Sequence, residues 1–236
     1  MTVTHRSQTQ SATQRDAWIE INLSALERNF LKLKDLLKTN IMAVVKADAY
    51  GHGATAIAPV LQSLGVHSFG VATVDEGIAL RNSGIKVPIL ILGATPAWAY
   101  DLSFENNLTI TIYSTEQIHS LEELGERKKS EISVQLKIDT GMNRLGIDHK
   151  EAHKVISDIL KSNYLNLEGV FSHLADVKNI DFSKQQKERF DFATEEYKSL
   201  PMLKHLANSY AGINYADFRY DLVRIGIGLY GQEFKD

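Results

Sequence analysis

The sequence predicts an α/β domain built as a (β/α)8 barrel of the TIM type. Eight short segments rich in Val, Ile and Leu follow one another at 41–46, 67–73, 87–93, 108–113, 133–139, 167–173, 203–207 and 222–230. Most are separated by helix-length pieces, several of which open on a capping pattern. The apolar segments are near-continuous rather than alternating, as suits strands of a parallel sheet covered by helices. Eight such units in 236 residues suit a closed barrel, with an open doubly wound sheet as the alternative.

Residues 1–16 are rich in Thr, Ser and Gln and are expected to form a disordered tail, with the barrel domain over 17–236. Residues 18–22 alternate apolar with polar like a short strand, and Ser24 with Glu27 predicts a capping box opening a helix that runs to about Lys38. The pairs Thr73 and Glu76, Ser114 and Gln117, Asp148 and Glu151, and Ser183 and Gln186 predict further helix starts. No internal repeat or low-complexity linker interrupts the run, so one domain is expected.

Composition narrows the function. With 44% hydrophobic and 23% charged residues, the chain can bury roughly 70–75% of its unfolded surface as one unit. It has no cysteine, which excludes disulfides and thiolate metal sites and favours a reducing compartment. A net charge of −3 with scattered Lys and Arg leaves no footprint for nucleic acid or an anionic membrane, so a small-molecule partner is expected. The longest apolar stretches are about half the ~20 residues a membrane-spanning helix needs, and the start has no apolar signal core. A cytoplasmic location is the expectation.

In such a barrel the chemistry sits at the C-terminal ends of the strands. Those ends carry Lys46, Lys137, Asp139, Arg144, His173, Asn208, Ser209 and Arg224. A lysine closing an apolar strand loses hydration, which lowers its pKa and makes its amine nucleophilic toward a carbonyl; a rim lysine snorkelling to solvent is the plainer possibility. Ser209 and the run Gly226-Ile227-Gly228 fall in the loops where barrels usually bind phosphate, although Ser209 could simply cap a helix and the glycines could mark a bend.

The stretch 43–53, AVVKADAYGHG, resembles the pyridoxal-phosphate lysine motif of alanine racemases. Residues 135–146, 169–175, 205–209 and 223–231 resemble further signatures of that family, in its order, and the resemblance covers nearly the whole chain from Trp18 onward. It implies that Lys46 binds pyridoxal 5'-phosphate as a Schiff base and serves as one of two acid–base groups at the substrate Cα. Tyr50 and Ser209 would hold the phosphate together with the backbone N–H groups of Gly226 and Ile227, and Asn208 would adjoin them. Arg224 would face the pyridine nitrogen, oriented by His205. Arg144 would face the phenolic oxygen and the substrate, His173 would lie near the ring, and Met142 would offer a backbone donor to the substrate. Lys137 stands where some members carry a carbamylated lysine. The implied reaction is interconversion of L- and D-alanine, supplying D-alanine for peptidoglycan in a bacterial cytoplasm, by a homodimer.

The family is usually about half as long again, with a β domain that supplies the opposite tyrosine base across the dimer. A truncated or abridged form of a two-domain racemase is therefore expected, with 18–22 left as an unprotected edge. Asn143 and residues 178–180 depart from the signatures. The alternatives are a single-domain carrier of pyridoxal phosphate, a related decarboxylase, or a racemase for another amino acid such as serine. His149 and His153 are expected on a solvated face rather than on a metal, Asp48 and Asp139 as loop-fixing groups, and Phe190, Phe192 and Tyr197 in helix packing.

Overall fold

A computed structural model describes residues 2–5 and 19–231. Its centre is a parallel sheet of eight strands in which each apolar segment has become a strand: β3 (Asn40–Val44), β4 (Ser68–Val71), β5 (Ile89–Ile91), β6 (Thr109–Ile112), β7 (Ile132–Asp139), β9 (Leu165–Phe171), β10 (Leu203–His205) and β11 (Leu222–Ile225). They run in the order β10-β9-β7-β6-β5-β4-β3-β11, with the two-residue β8 (Ile147–Asp148) paired beside β7. The seam between β10 and β11 is joined by backbone bonds from Arg224 N–H to Ala207 O and from Asp221 N–H to Lys204 O, each 3.1 Å. This is the (β/α)8 arrangement.

Side chains alternate across each strand. Met42, Leu90, Phe171 and Leu222 fill the barrel interior. The outward set, including Ile41, Phe69, Ile89, Val134 and Val223, meets the helices in the main core. The first long helix, α1 (Leu23–Leu37), buries Leu23, Leu26, Phe30, Leu33 and Leu37, the three- and four-residue spacing of one helical face. The others are α3 (Ala54–Ser63), α4 (Val74–Asn82), α5 (Tyr100–Glu105), α6 (Glu116–Lys128), α7 (Ala152–Lys161), α8 (Ile180–Thr194) and α9 (Ser209–Asn214), after the one-turn segment α2 (Lys46–Gly51). None of these is long and apolar enough to cross a membrane.

Several expectations are corrected. Thr2–His5 (β1) is not structureless: it pairs antiparallel with β2 (Ile19–Asn22), so β-branched residues from the tail cover the edge expected to be bare. The rest of the 1–16 tail lies outside the described residues. Asn22, not Ser24, caps α1, accepting the Ala25 N–H at 3.0 Å. Asn179, not Ser183, caps α8; the Ser183 hydroxyl is buried and donates to Asp176 O instead. Strand β11 stops at Ile225, and Ile227–Tyr230 forms a 3-10 turn. Phe192 is solvent-exposed, whereas Phe190 and Tyr197 are buried as expected.

Candidate active site at the barrel mouth

Strand β3 ends at Val44, and Lys46 begins a turn of unusual hand. Ala47, Asp48, Ala49 and Tyr50 have φ between 51° and 56°. Four successive non-glycine residues in the left-handed region carry a cost on the order of 1–2 kcal/mol each. The geometry gives Lys46 and Tyr50 to one cavity of about 670 Å³. Asp48 fixes the exit, its Oδ1 accepting the Ala54 N–H at 2.7 Å, as expected of a loop-fixing acid. Lys46 itself is exposed at the rim. The desolvated lysine expected from the apolar strand is thus not what forms, because the turn begins one residue past the buried Val45.

Across the cavity, Asn208 caps α9 through a 3.1 Å bond from Ala211 N–H. This leaves the next residue, Ser209, to point its hydroxyl at the β11 loop. The Ser209 Oγ accepts N–H groups from Gly226 at 3.1 Å and Gly228 at 3.3 Å. The two glycines thus hold the Ser209 hydroxyl in a small cradle, and Ile227 between them forms part of the cavity wall. A Cβ on Gly226 would fall 2.6 Å from the Tyr50 hydroxyl, so glycine is what lets Tyr50 close over the cradle.

The floor is a chain of buried polar groups. Gln135 Oε1 lies 2.7 Å from His205 Nε2 and accepts its proton, leaving Nδ1 as an acceptor for Arg224 Nη1 at 2.8 Å. Arg224 also donates to the carbonyls of His205, Ser172 and Leu206 at 3.0, 2.6 and 2.9 Å, and approaches His173 Nδ1 at 3.3 Å. Asp221, three residues before Arg224, accepts the Lys204 N–H at 2.8 Å. Burial, with Arg224 beside it, pushes His173 down to about 3 and His205 well below the usual histidine range, so both are neutral acceptors. Burial alone brings Arg224 to about 9, still a cation at neutral pH. Lys137 is pushed to about 7 by burial and then by Arg224. His205 stacks on Phe171 at 4.8 Å, and Lys137 Nζ stands 5.3 Å from that ring.

Arg144 is exposed on the far wall. Its loop is organised by Asp139, whose Oδ1 accepts the N–H groups of Gly141, Met142 and Asn143 at 2.8, 2.9 and 3.2 Å. The Met142 N–H is therefore committed, and Met142 does not line the cavity, which corrects its expected role as a substrate donor. Gln186, fully buried, ties this loop to the next, donating to Thr140 Oγ1 and His173 O and accepting from Ala175 N–H. Gln135 and Gln186 were not anticipated as site-shaping residues. A lone glutamine in an apolar strand such as β7 was the available signal for the first; nothing marked the second beyond its capping spacing. His149 and His153 pair with Asp148 and Glu196, and the described residues hold no metal cluster.

Four cationic side chains, Lys46, Lys137, Arg144 and Arg224, line the cavity, and among the described residues no Asp or Glu does. Such a cavity suits a ligand carrying anionic groups. Residues 21–233 match the family described as "Alanine racemase, N-terminal domain". The chain belongs to that family. An alanine racemase from Carboxydothermus hydrogenoformans is 42% identical over 224 residues, 92% of this chain and 61% of the relative. Alanine racemase 1 from Oceanobacillus iheyensis is 38% identical over 226 residues, again 92% of this chain and 60% of the relative. The solved alanine racemase of Clostridium difficile 630 superposes with a TM-score of 0.87 at 37% identity, covering 92% of this chain and 58% of that one. This alanine-racemase barrel thus spans about three fifths of the length of the relatives it matches.

Proposed function

We propose that the barrel binds pyridoxal 5'-phosphate through Lys46 and forms the cofactor-bearing part of an alanine racemase. The observation that carries this reading is Ser209, whose hydroxyl oxygen is held by the N–H groups of Gly226 and Gly228 and which shares with Tyr50, Gly226, Ile227 and Lys46 a cavity that no described Asp or Glu lines. The donor set fits the cofactor: Ser209, Tyr50 and the Gly226 backbone for the phosphate, Arg224 for the pyridine nitrogen, Arg144 for the phenolic oxygen, and His173 and Asn208 beside them. When bound, the cofactor supplies a carbonyl for imine exchange with an amino acid and a conjugated ring that acidifies the substrate Cα–H.

Lys46 Nζ accepts and returns the Cα proton on one face. Arg224 would face the ring nitrogen without surrendering its proton, because its guanidinium remains charged at neutral pH. His205, fixed by Gln135 in the tautomer that accepts from Arg224, orients it. A ring partner that keeps its proton would limit electron withdrawal by a bound cofactor, which would favour racemisation over transamination. The neutral amine of Lys137 would add to CO2 and release one proton to solvent, giving a carbamate anion beside Arg224 and Arg144. The opposite face needs a second acid–base group, for which we look to a further segment or partner chain, as in a homodimer. The product, D-alanine, would serve peptidoglycan synthesis in a bacterial cytoplasm.

The test is direct. The chain is incubated with pyridoxal phosphate, reduced with borohydride and mapped by mass spectrometry. Label at Lys46, lost in Lys46→Ala, supports the assignment; no reducible bond at Lys46 sinks it. Solvent deuterium entering Cα of alanine supports the racemase half-reaction. Cofactor binding with no exchange, even on addition of a relative's C-terminal part, points to a carrier.

The phosphate cradle has its own test. Gly226→Ala pushes the Tyr50 hydroxyl away, since the new Cβ would lie 2.6 Å from it. The variant should bind pyridoxal phosphate about tenfold more weakly while binding unphosphorylated pyridoxal unchanged, about 1.4 kcal/mol confined to the phosphate. An equal loss for both ligands would place the phosphate elsewhere.

A further inference from the structure

The spacing of Thr73 and Glu76 reads as a capping box, in which the glutamate would return to the Thr73 N–H. Only half of that box forms. The Thr73 hydroxyl accepts the Glu76 N–H at 3.4 Å, but the Glu76 carboxylate is turned elsewhere. Its Oε2 accepts the Ala72 N–H at 2.6 Å, at the end of the neighbouring strand. Its Oε1 crosses to the first β/α unit and accepts the Ala47 N–H at 2.7 Å.

Ala47 is the first of the four left-handed residues and directly follows Lys46. A strained segment of this kind persists only where surrounding contacts over-determine it. Within the segment, Ala49 N–H bonds to Val45 O and Gly53 N–H to Asp48 O, and Asp48 caps α3. These bonds tie the turn to its own flanks, Val45 and the start of α3, and none of them reaches the neighbouring β/α unit. The Glu76 bond fixes the turn against the adjacent strand, with charge assistance at both N–H groups. At the other end of the turn, Tyr230 stacks on His52 at 4.1 Å and tilts against Tyr50 at 5.9 Å. The turn is thus held at both ends, and its Lys46 end is held by Glu76.

We propose that Glu76 is a positioning residue for the cofactor lysine: its carboxylate clamps the left-handed turn and thereby sets where Lys46 and Tyr50 enter the cavity. It does not line that cavity and acts only through Ala47. The inference rests on Lys46 being the cofactor lysine.

The experiment compares wild type, Glu76→Gln and Glu76→Ala in the full chain. Hydrogen exchange is read without cofactor, and pyridoxal phosphate affinity by titration and borohydride trapping. In Glu76→Ala, amides of 46–53 should exchange at least tenfold faster with the barrel strands unchanged, and the dissociation constant should rise at least tenfold. Glu76→Gln keeps one acceptor oxygen and should fall between. Uniformly faster exchange with unchanged affinity would reduce Glu76 to a helix cap, and unchanged exchange in 46–53 would overturn the clamp outright. If wild type forms no Lys46 adduct, the cofactor reading falls, and the exchange comparison still decides whether Glu76 holds the turn.

Discussion

Replacing Arg224 with leucine should destabilise the barrel by about 3–5 kcal/mol, read as a fall in the urea midpoint at constant slope. The guanidinium is buried, and it satisfies the carbonyls of Ser172, His205 and Leu206 together with His205 Nδ1. Leucine takes this donor from the carbonyls of Ser172 and Leu206 and from His205 Nδ1, each a desolvation cost with no return, while the His205 carbonyl keeps the Ser172 N–H at 3.2 Å. Recovery of the charge's own desolvation cost offsets only part of this. Arg224→Lys should rescue little, since an ammonium cannot reproduce the planar fork that reaches three backbone carbonyls and an imidazole at once. The variant should also raise the basicity of Lys137, His173 and His205, because Arg224 is among the causes lowering each. A leucine variant within about 1 kcal/mol of wild type would mean that water replaces the guanidinium on the barrel floor.

Lys137→Met should remove a pH dependence. The folded-state pKa of Lys137 is about 7, against roughly 10.4 in an unfolded chain. Between those values the unfolded chain binds more protons, so wild-type stability rises with pH from about 7 to about 10; below 7 the full cost of burying an ammonium is present. The whole effect is on the order of 4 kcal/mol. Methionine keeps the length of the side chain against Phe171 and carries no charge. The difference in unfolding free energy between variant and wild type should be greatest near neutral pH and below, and should shrink as pH approaches 10. Parallel profiles across that range would show that the ammonium is not buried. The measurement is made in CO2-free buffer, because a carbamate at Lys137 would itself cancel the penalty.

The barrel was legible because its signal is repeated: each of the eight Val, Ile and Leu runs became a strand, and the outward-facing half of each built the core. Helix starts were less legible. A hydroxyl three residues before a glutamine or glutamate marks a cap only if the hydroxyl itself stays at home, as that of Thr73 does. Ser183 and Gln186 are spent on Asp176 O, Thr140 and His173, and the cap passes to Asn179. Of the candidate site residues, Lys46, Tyr50, Lys137, Arg144, His173, Asn208, Ser209, Arg224, Gly226 and Ile227 meet at one cavity, with His205 beneath it. Met142 is drawn away by Asp139, a competition between a side chain and a backbone N–H that spacing cannot display. The left-handed turn was equally hidden. Alanine and tyrosine carry no local preference for it and a lone aspartate only a weak one, and what holds them there arrives from Glu76, Tyr230 and Gly226, remote in sequence.

The acid-free lining of the cavity also bears on how a ligand arrives. The basic side chains around a recess with low-dielectric walls, Lys137 only partly protonated at neutral pH, focus their field outward through its mouth, so anions are enriched there before any shape is recognised. If the proposed cofactor binds here, its phosphorylated form should be drawn in faster than an unphosphorylated one, and inorganic phosphate or sulfate should compete for the same attraction. Encounter therefore slows as ionic strength rises and the Debye length falls toward the width of the opening. The same lining that holds the ligand thus screens what approaches it, by charge first and fit second.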